Sequence, residues 1–180
     1  MPDVQNPGGE EMTLKQLLTK HEGKKSEEYR CTSNRRSIGI GHHIDAKGLP
    51  DDIDAFLEAN GYITVEMIDR LYEMDISDAI TDAIRLYPAL KSFSEPRIFA
   101  LIDFVFNVGY KTASTFKNTN KAINEERWDD AADGLLASKY ARQVGRRARD
   151  VAEMLRGLNH ESRLGMPQMR KSQCSVERIV

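Results

Sequence analysis

HEGKKSEEYRCTSNRRSIGIGHH, residues 21–43, is where the chain changes character. Before it, Leu14, Leu17, Leu18 and His21 recur at helical spacing behind Thr13, a good N-cap, so a short amphipathic helix is expected over 13–22, and Gly23 can end it. Past the glycine, Tyr29, Cys31, Ser37, Ile38 and Ile40, with Ser33 and Asn34 as turn residues, read as two or three short antiparallel strands over 27–46. Gly39 and Gly41 flank Ile40; glycine inside a strand marks a bulge or the close approach of another backbone or a ligand. Three polar residues fall here at fixed spacing, in an E-x8-C-x5-S arrangement of Glu22, Cys31 and Ser37. At the end of its helix Glu22 stands at the negative end of the macrodipole, which opposes a carboxylate charge.

Working outward, Pro2, Pro7, Gly8 and Gly9 make residues 1–11 a disordered lead-in. After Gly48-Leu49-Pro50 a helix is expected around 51–59, ended by Asn60-Gly61. Thr64 then caps the longest helix, to about 86: Ile68, Leu71, Tyr72, Ile76, Ala79, Ile80, Ala83, Ile84 and Tyr87 form one apolar stripe that Pro88 closes. Asp75 lies beside that stripe and needs either a partner, for which His42 is the candidate, or solvent. Ser94 and Pro96 begin the next helix and Gly109 closes it. Between them Ile98 to Phe106 is apolar nearly all round, which predicts a helix at the centre of a helical lobe. Helices over 115–124, 127–137 and 145–157 follow, with Trp128 packed under the lobe, and 159–180 reads as a flexible tail.

The bulk properties exclude several classes. A chain of 180 residues suffices for one domain with a real core. With 40% hydrophobic and 30% charged residues, no segment approaches the roughly 20 apolar residues a membrane span requires. The amino terminus lacks the basic and apolar regions of a secretory signal, so synthesis in a reducing cytoplasm is expected. Two cysteines, Cys31 and Cys174, without metal-ligand spacing, give no reason for a disulfide framework, a zinc site or any cofactor. The Gly-x-Gly lacks the third glycine and the Lys-Ser/Thr of a phosphate loop. Net charge is −2 but segregated: residues 45–82 hold eleven acids against Lys47 and Arg70, while 139–171 hold nine cations against three acids. The basic segment is either a face for an anionic partner or an ordinary solvated helix surface.

HEG at 21–23, SIGIGH at 37–42, ALIDFVFNVG at 100–109, ERWDDAA at 126–132 and RRARDV at 146–151, in this order, resemble the bacteriophage-type (T4-like) lysozymes, a glycoside hydrolase family. The resemblance implies an α+β lysozyme-like fold: a β-ribbon lobe at about 24–62 and a linking helix at about 64–86. A helical lobe at about 88–158, joined by the helix at 13–22, would complete a domain over 12–158. It implies cleavage of the β-1,4 bond between N-acetylmuramic acid and N-acetylglucosamine in peptidoglycan, by a monomer of endolysin type. Such an enzyme is made in the host cytoplasm and acts on the wall once the membrane is breached.

The family motif is E-x8-D-x5-T. Carried over, Glu22 matches the proton donor, Cys31 the aspartate position and Ser37 the threonine position, whose hydroxyl can orient a water. Arg147 matches an arginine that pairs with the acid, the other reading being a surface arginine on a basic helix. His42 with Asp75 matches a structural pair that ties lobe to helix. His43, Phe106 and Thr119 match substrate-contacting positions; Gly134 stands where the family has an asparagine. A free thiol has a pKa of about 8.5, so only a few per cent is thiolate near pH 7. Cys31 is therefore open to three roles: a thiolate base, a nucleophile forming a thioglycosyl intermediate, or a space-filling residue beside a water held by Ser37. Two other functions stay open: a wall-binding or virion component of the same fold with little turnover, and nucleic-acid binding by the basic face, which strong salt dependence would reveal.

Overall fold

Local signals build each element. Thr13 caps α1 (Leu14–Glu22) in a reciprocal capping box with Gln16, and Leu14, Leu17 and Leu18 are its buried face. Gly23, at φ 77°, donates its N–H to Thr19 and ends the helix. The computed structural model describes residues 12–30 and 34–157; the lead-in, Cys31 and the 159–180 tail lie outside the described residues.

After α1 come β1 (Lys25–Arg30), β2 (Arg36–Gly39) and β3 (His42–His43), an antiparallel sheet in the order β1-β2-β3. The register sets Tyr29 opposite Ser37, Ser37 opposite His43, and Ile38 opposite His42. Two expectations are corrected here. Gly39 and Gly41 do not lie within a continuous strand: with φ of 66° and 75° they turn the chain from β2 into β3. Residues 44–47 form a short helix, α2 (Ile44–Lys47), where strand was expected up to 46, a single turn that Gly48 closes by donating its N–H to the Ile44 carbonyl.

Next, α3 (Asp51–Asn60) ends on left-handed Gly61, and α4 (Val65–Leu86) starts at Thr64, whose hydroxyl accepts the Met67 N–H. At 22 residues α4 is about 33 Å long. It packs along both β2 and α5 (Glu95–Ala113). The side chains from Ile98 to Val105 of α5 are all buried, including the acid Asp103. Gly109 breaks α5, at φ 74° and ψ 159°, but a further helical turn runs on to Ala113, so the element does not stop at the glycine as expected.

The lobe is completed by α6 (Lys117–Asn124), α7 (Trp128–Leu136), α8 (Lys139–Val144) and α9 (Arg146–Leu155). The periodicity had not announced α8; six residues ended by Gly145 are too few to show a repeat. Phe104 meets Phe116 and Tyr140 edge to face at 5.1 and 5.2 Å, joining α5 to its neighbours. Half-buried Trp128 lies edge-on to Phe93 and under the Arg97 guanidinium. The architecture is therefore α+β: a small antiparallel sheet, a long helix, and a mostly helical remainder.

Candidate active site

Three elements distant in sequence deliver the site. Glu22, the last residue of α1, keeps 18% of its side chain exposed. From α9, Arg147 donates through Nη1 to Glu22 Oε1 at 2.5 Å. The rest of that guanidinium grips Asp103 of α5, Nε to Oδ2 at 3.1 Å and Nη2 to Oδ1 at 3.0 Å. Asp103 is fully buried, and its Oδ1 also lies 2.9 Å from His21 Nδ1. His21 Nε2 in turn faces Asp150 of α9 at 3.4 Å, beside Lys20. Two carboxylates on a buried guanidinium are tolerable because each charge has an opposite partner and each guanidinium nitrogen donates a hydrogen bond. Burial alone would make Arg147 easier to deprotonate, but the charges of Asp103 and Glu22 hold it fully cationic. Of the two readings of Arg147, the buried partner of Glu22 is the one present; it is not part of the basic surface.

A cleft of about 390 Å³ opens between the β lobe, α4 and the end of α5. The β lobe lines it with Arg35, Gly41, His43 and Lys47, α4 with Asp75, Asp78 and Asp82, and α5 with Phe106, Asn107 and Gly109. Asn107 and Gly41 connect Glu22 to it. Asn107 Nδ2 lies 3.4 Å from Glu22 Oε1, and a Cβ on Gly41 would fall 2.9 Å from Glu22 Cδ and Oε2. The backbone at Gly41 is thus the back wall of the carboxylate.

The other candidate residues separate. Phe106 and His43 line the cleft. Thr119 does not: it is buried on α6, and its hydroxyl fills the space beside Gly134 of α7, where any side chain would collide with it. Ser37 is 0% exposed; its Oγ lies 2.9 Å from His43 Nδ1 and donates to the Arg35 carbonyl at 3.4 Å, so it offers no hydroxyl to the cleft. Cys31 lies outside the described residues.

Of the two readings of Asp75, the buried and partnered one holds: Oδ2 lies 2.9 Å from His42 Nδ1 and Oδ1 accepts from Lys47 Nζ at 2.8 Å. His42 Nε2 donates to the Gly48 carbonyl at 2.7 Å. With an obligate acceptor at each nitrogen, both ring N–H groups are needed, which is the imidazolium. Burial works against that charge, but the hydrogen bonds to Asp75 and Gly48 outweigh it and raise the His42 pKa. For Asp75 burial likewise opposes the charge, and the bonds from His42 and Lys47 win and lower it. Among the described residues no group of His, Cys, Asp or Glu is arranged to hold a metal ion.

Sequence reasoning passed over Asp103, His21, Asn107 and Gly41 as parts of the site. One signal was present for Asp103, an acid inside an otherwise apolar helical run, which needs a buried partner. None existed for Asn107, whose only mark is its place one residue after Phe106.

The sequence model of the family "Phage lysozyme" matches residues 19–160. Two proteins of Dictyostelium discoideum are similar to this chain. "Probable T4-type lysozyme 1" is 31% identical over 159 residues, covering 79% of this chain and 93% of that protein. "Probable T4-type lysozyme 2" is 30% identical over 154 residues, covering 77% and 91%. The matched span holds the end of α1 with Glu22, the turn at Gly41, α5 and Arg147, and the chain belongs to the phage lysozyme family, of the T4 type.

Proposed function

We propose that the protein is a muramidase of endolysin type. It hydrolyses the β-1,4 bond between N-acetylmuramic acid and N-acetylglucosamine in peptidoglycan, with Glu22 as the acid that protonates the departing oxygen. The observation that carries this reading is the setting of Glu22: a partly exposed carboxylate against the cleft residues Gly41 and Asn107, pinned by a buried arginine, with backbone packed so tightly behind it that only glycine fits. An acid that must meet one glycosidic oxygen needs that immobility. The exposed cations Lys139, Arg142, Arg146 and Arg149 suit an anionic wall. No helix among the described residues is long and apolar enough to cross a membrane, and reaching the wall would depend on prior breach of the membrane.

The test is release of reducing ends from purified peptidoglycan, alongside clearing of outer-membrane-permeabilised Gram-negative cells. Glu22→Gln is expected to lose about 100-fold or more of the wild-type rate, the scale of a general acid. Equal slow clearing by both proteins would defeat the enzyme reading, and sedimentation with peptidoglycan without new reducing ends would identify a wall-binding component instead. In the same assay, undiminished activity of Cys31→Ala beside Cys31→Asp assigns the thiol no chemical role; loss restored only by the carboxylate assigns it the base.

A further inference from the structure

A single-displacement glycosidase that works with Glu22 as acid needs a second group to take a proton from the attacking water, and the Cys31 thiol is a weak base because it is mostly protonated near neutral pH. Ser37 cannot touch a water in the cleft, because it is fully buried and its hydroxyl is committed to Arg35 and His43. The residue it is committed to does reach the cleft. His43 faces Ser37 directly across β2 and β3, is half-buried, and lines the same cleft as Gly41 and Asn107, both of which lie against Glu22.

The hydrogen bonds bear on which ring nitrogen is available. A serine hydroxyl has one proton, which can go to the Arg35 carbonyl at 3.4 Å or to His43 Nδ1 at 2.9 Å. With it on the Arg35 carbonyl, the 2.9 Å contact is His43 Nδ1–H donating to Ser37 Oγ. In a neutral ring that tautomer leaves the lone pair on Nε2, which has no hydrogen bond among the described residues. Burial pushes the His43 pKa down, so the neutral form prevails near pH 7. The facing charges divide: Glu22 of α1 and Asp75 of α4 favour protonation, and Arg35 before β2 and His42 of β3 oppose it. Lys47, Asp78 and Asp82 also line the cleft, and α5 presents only uncharged residues to it, Phe106 and Asn107 among them.

We propose that His43 is the base of the reaction and Ser37 its positioning residue, an inference that rests on the muramidase reading above. Water gives a proton to His43 Nε2 as its oxygen bonds to the anomeric carbon; the glycosidic C–O bond breaks, and the departing oxygen takes the proton of Glu22. Exchange with solvent then returns His43 to the neutral ring and Glu22 to the acid. A single displacement of this kind inverts the anomeric centre.

Reducing-end release by the full chain, measured from about pH 4 to about pH 8, tests this directly. The wild type should lose rate on an acidic limb below about pH 6.5 and yield the inverted anomer first. His43→Gln should be slower by about 100-fold and lack that limb while keeping the alkaline one. His43→Ala should regain rate with added imidazole, which a misfolded protein cannot do. Ser37→Ala should slow by about 10-fold and Ser37→Thr, which restores the hydroxyl, should recover. A His43→Gln enzyme with wild-type rate and an intact acidic limb, or a retained anomer from the wild type, overturns the assignment. A wild type that releases no reducing ends at any pH fails the muramidase reading itself.

Discussion

Gly41 has no side chain because the Glu22 carboxylate fills the space one would occupy. A Cβ there would meet Cδ and Oε2 at 2.9 Å, and φ of 75° already disfavours any other residue. Gly41→Ala must therefore push the carboxylate off Arg147 or shift the turn. Displacement of about 1 Å costs a reaction roughly 100-fold, so kcat/KM should drop on that scale while the far-ultraviolet spectrum stays that of the folded protein. An unchanged rate would mean that the turn yields without moving the acid. The sequence announced a close approach at this glycine but not what approaches it, because the turn and the helix end that meet there are linked only by folding.

At the scale of elements, α1, α5 and α9 each supply one corner of the Glu22–Arg147–Asp103 group, and the amphipathic face of α1 and the apolar run of α5 were legible. Their ends were less so. Thr13, Gly23 and Thr64 act where expected because capping is local chemistry. Ser94 occupies an N-cap position yet makes no side-chain cap bond, and α5 resumes after Gly109. That break matters, since Val108 and Gly109 line the cleft. At φ 74° and ψ 159° Gly109 holds a backbone conformation nearly closed to other residues, although nothing lies within 4 Å of where a Cβ would stand. Gly109→Ala should cost about 1–3 kcal/mol from backbone strain alone, read as a lower urea midpoint with an unchanged slope. No loss of stability would show that the chain can turn there in another way.

For the molecule as a whole, the junction of sheet, α2 and α4 is held by His42, Asp75 and Lys47. The raised His42 pKa gives stability that is complete below its ordinary value of about 6.5 and is lost as pH rises through the folded-state value. The lowered Asp75 pKa gives stability present above about 3.9 and lost as pH falls through its folded-state value. The pair therefore contributes most between about pH 4 and pH 6.5. Asp75→Asn should cost about 3 kcal/mol near pH 5.5, since it strands a buried imidazolium, and the deficit should shrink toward pH 8.5. Urea unfolding of both proteins across that range checks it; a deficit independent of pH would assign the cost to packing and not to the ion pair.

The short strands and the helices other than α2 and α8 could be read from residues 12–157 because periodicity, caps and glycine turns act over a few residues, and the family motifs added the α+β lysozyme-like class. Family motifs marked Glu22 and Arg147 as a pair. What makes the site was not local: Glu22 and Arg147 are 125 residues apart, and His21 and Asp103 are 82 apart. Nothing in a run of side chains states which buried charges will neutralise one another, since that depends on which helices pack. The same holds for Ser37 and His43. Six positions apart, they share a face only because the turn at Gly39 and Gly41 folds β3 back onto β2. That pairing buries the hydroxyl that the family motif set at a water and leaves the imidazole in the cleft, where the resemblance placed it.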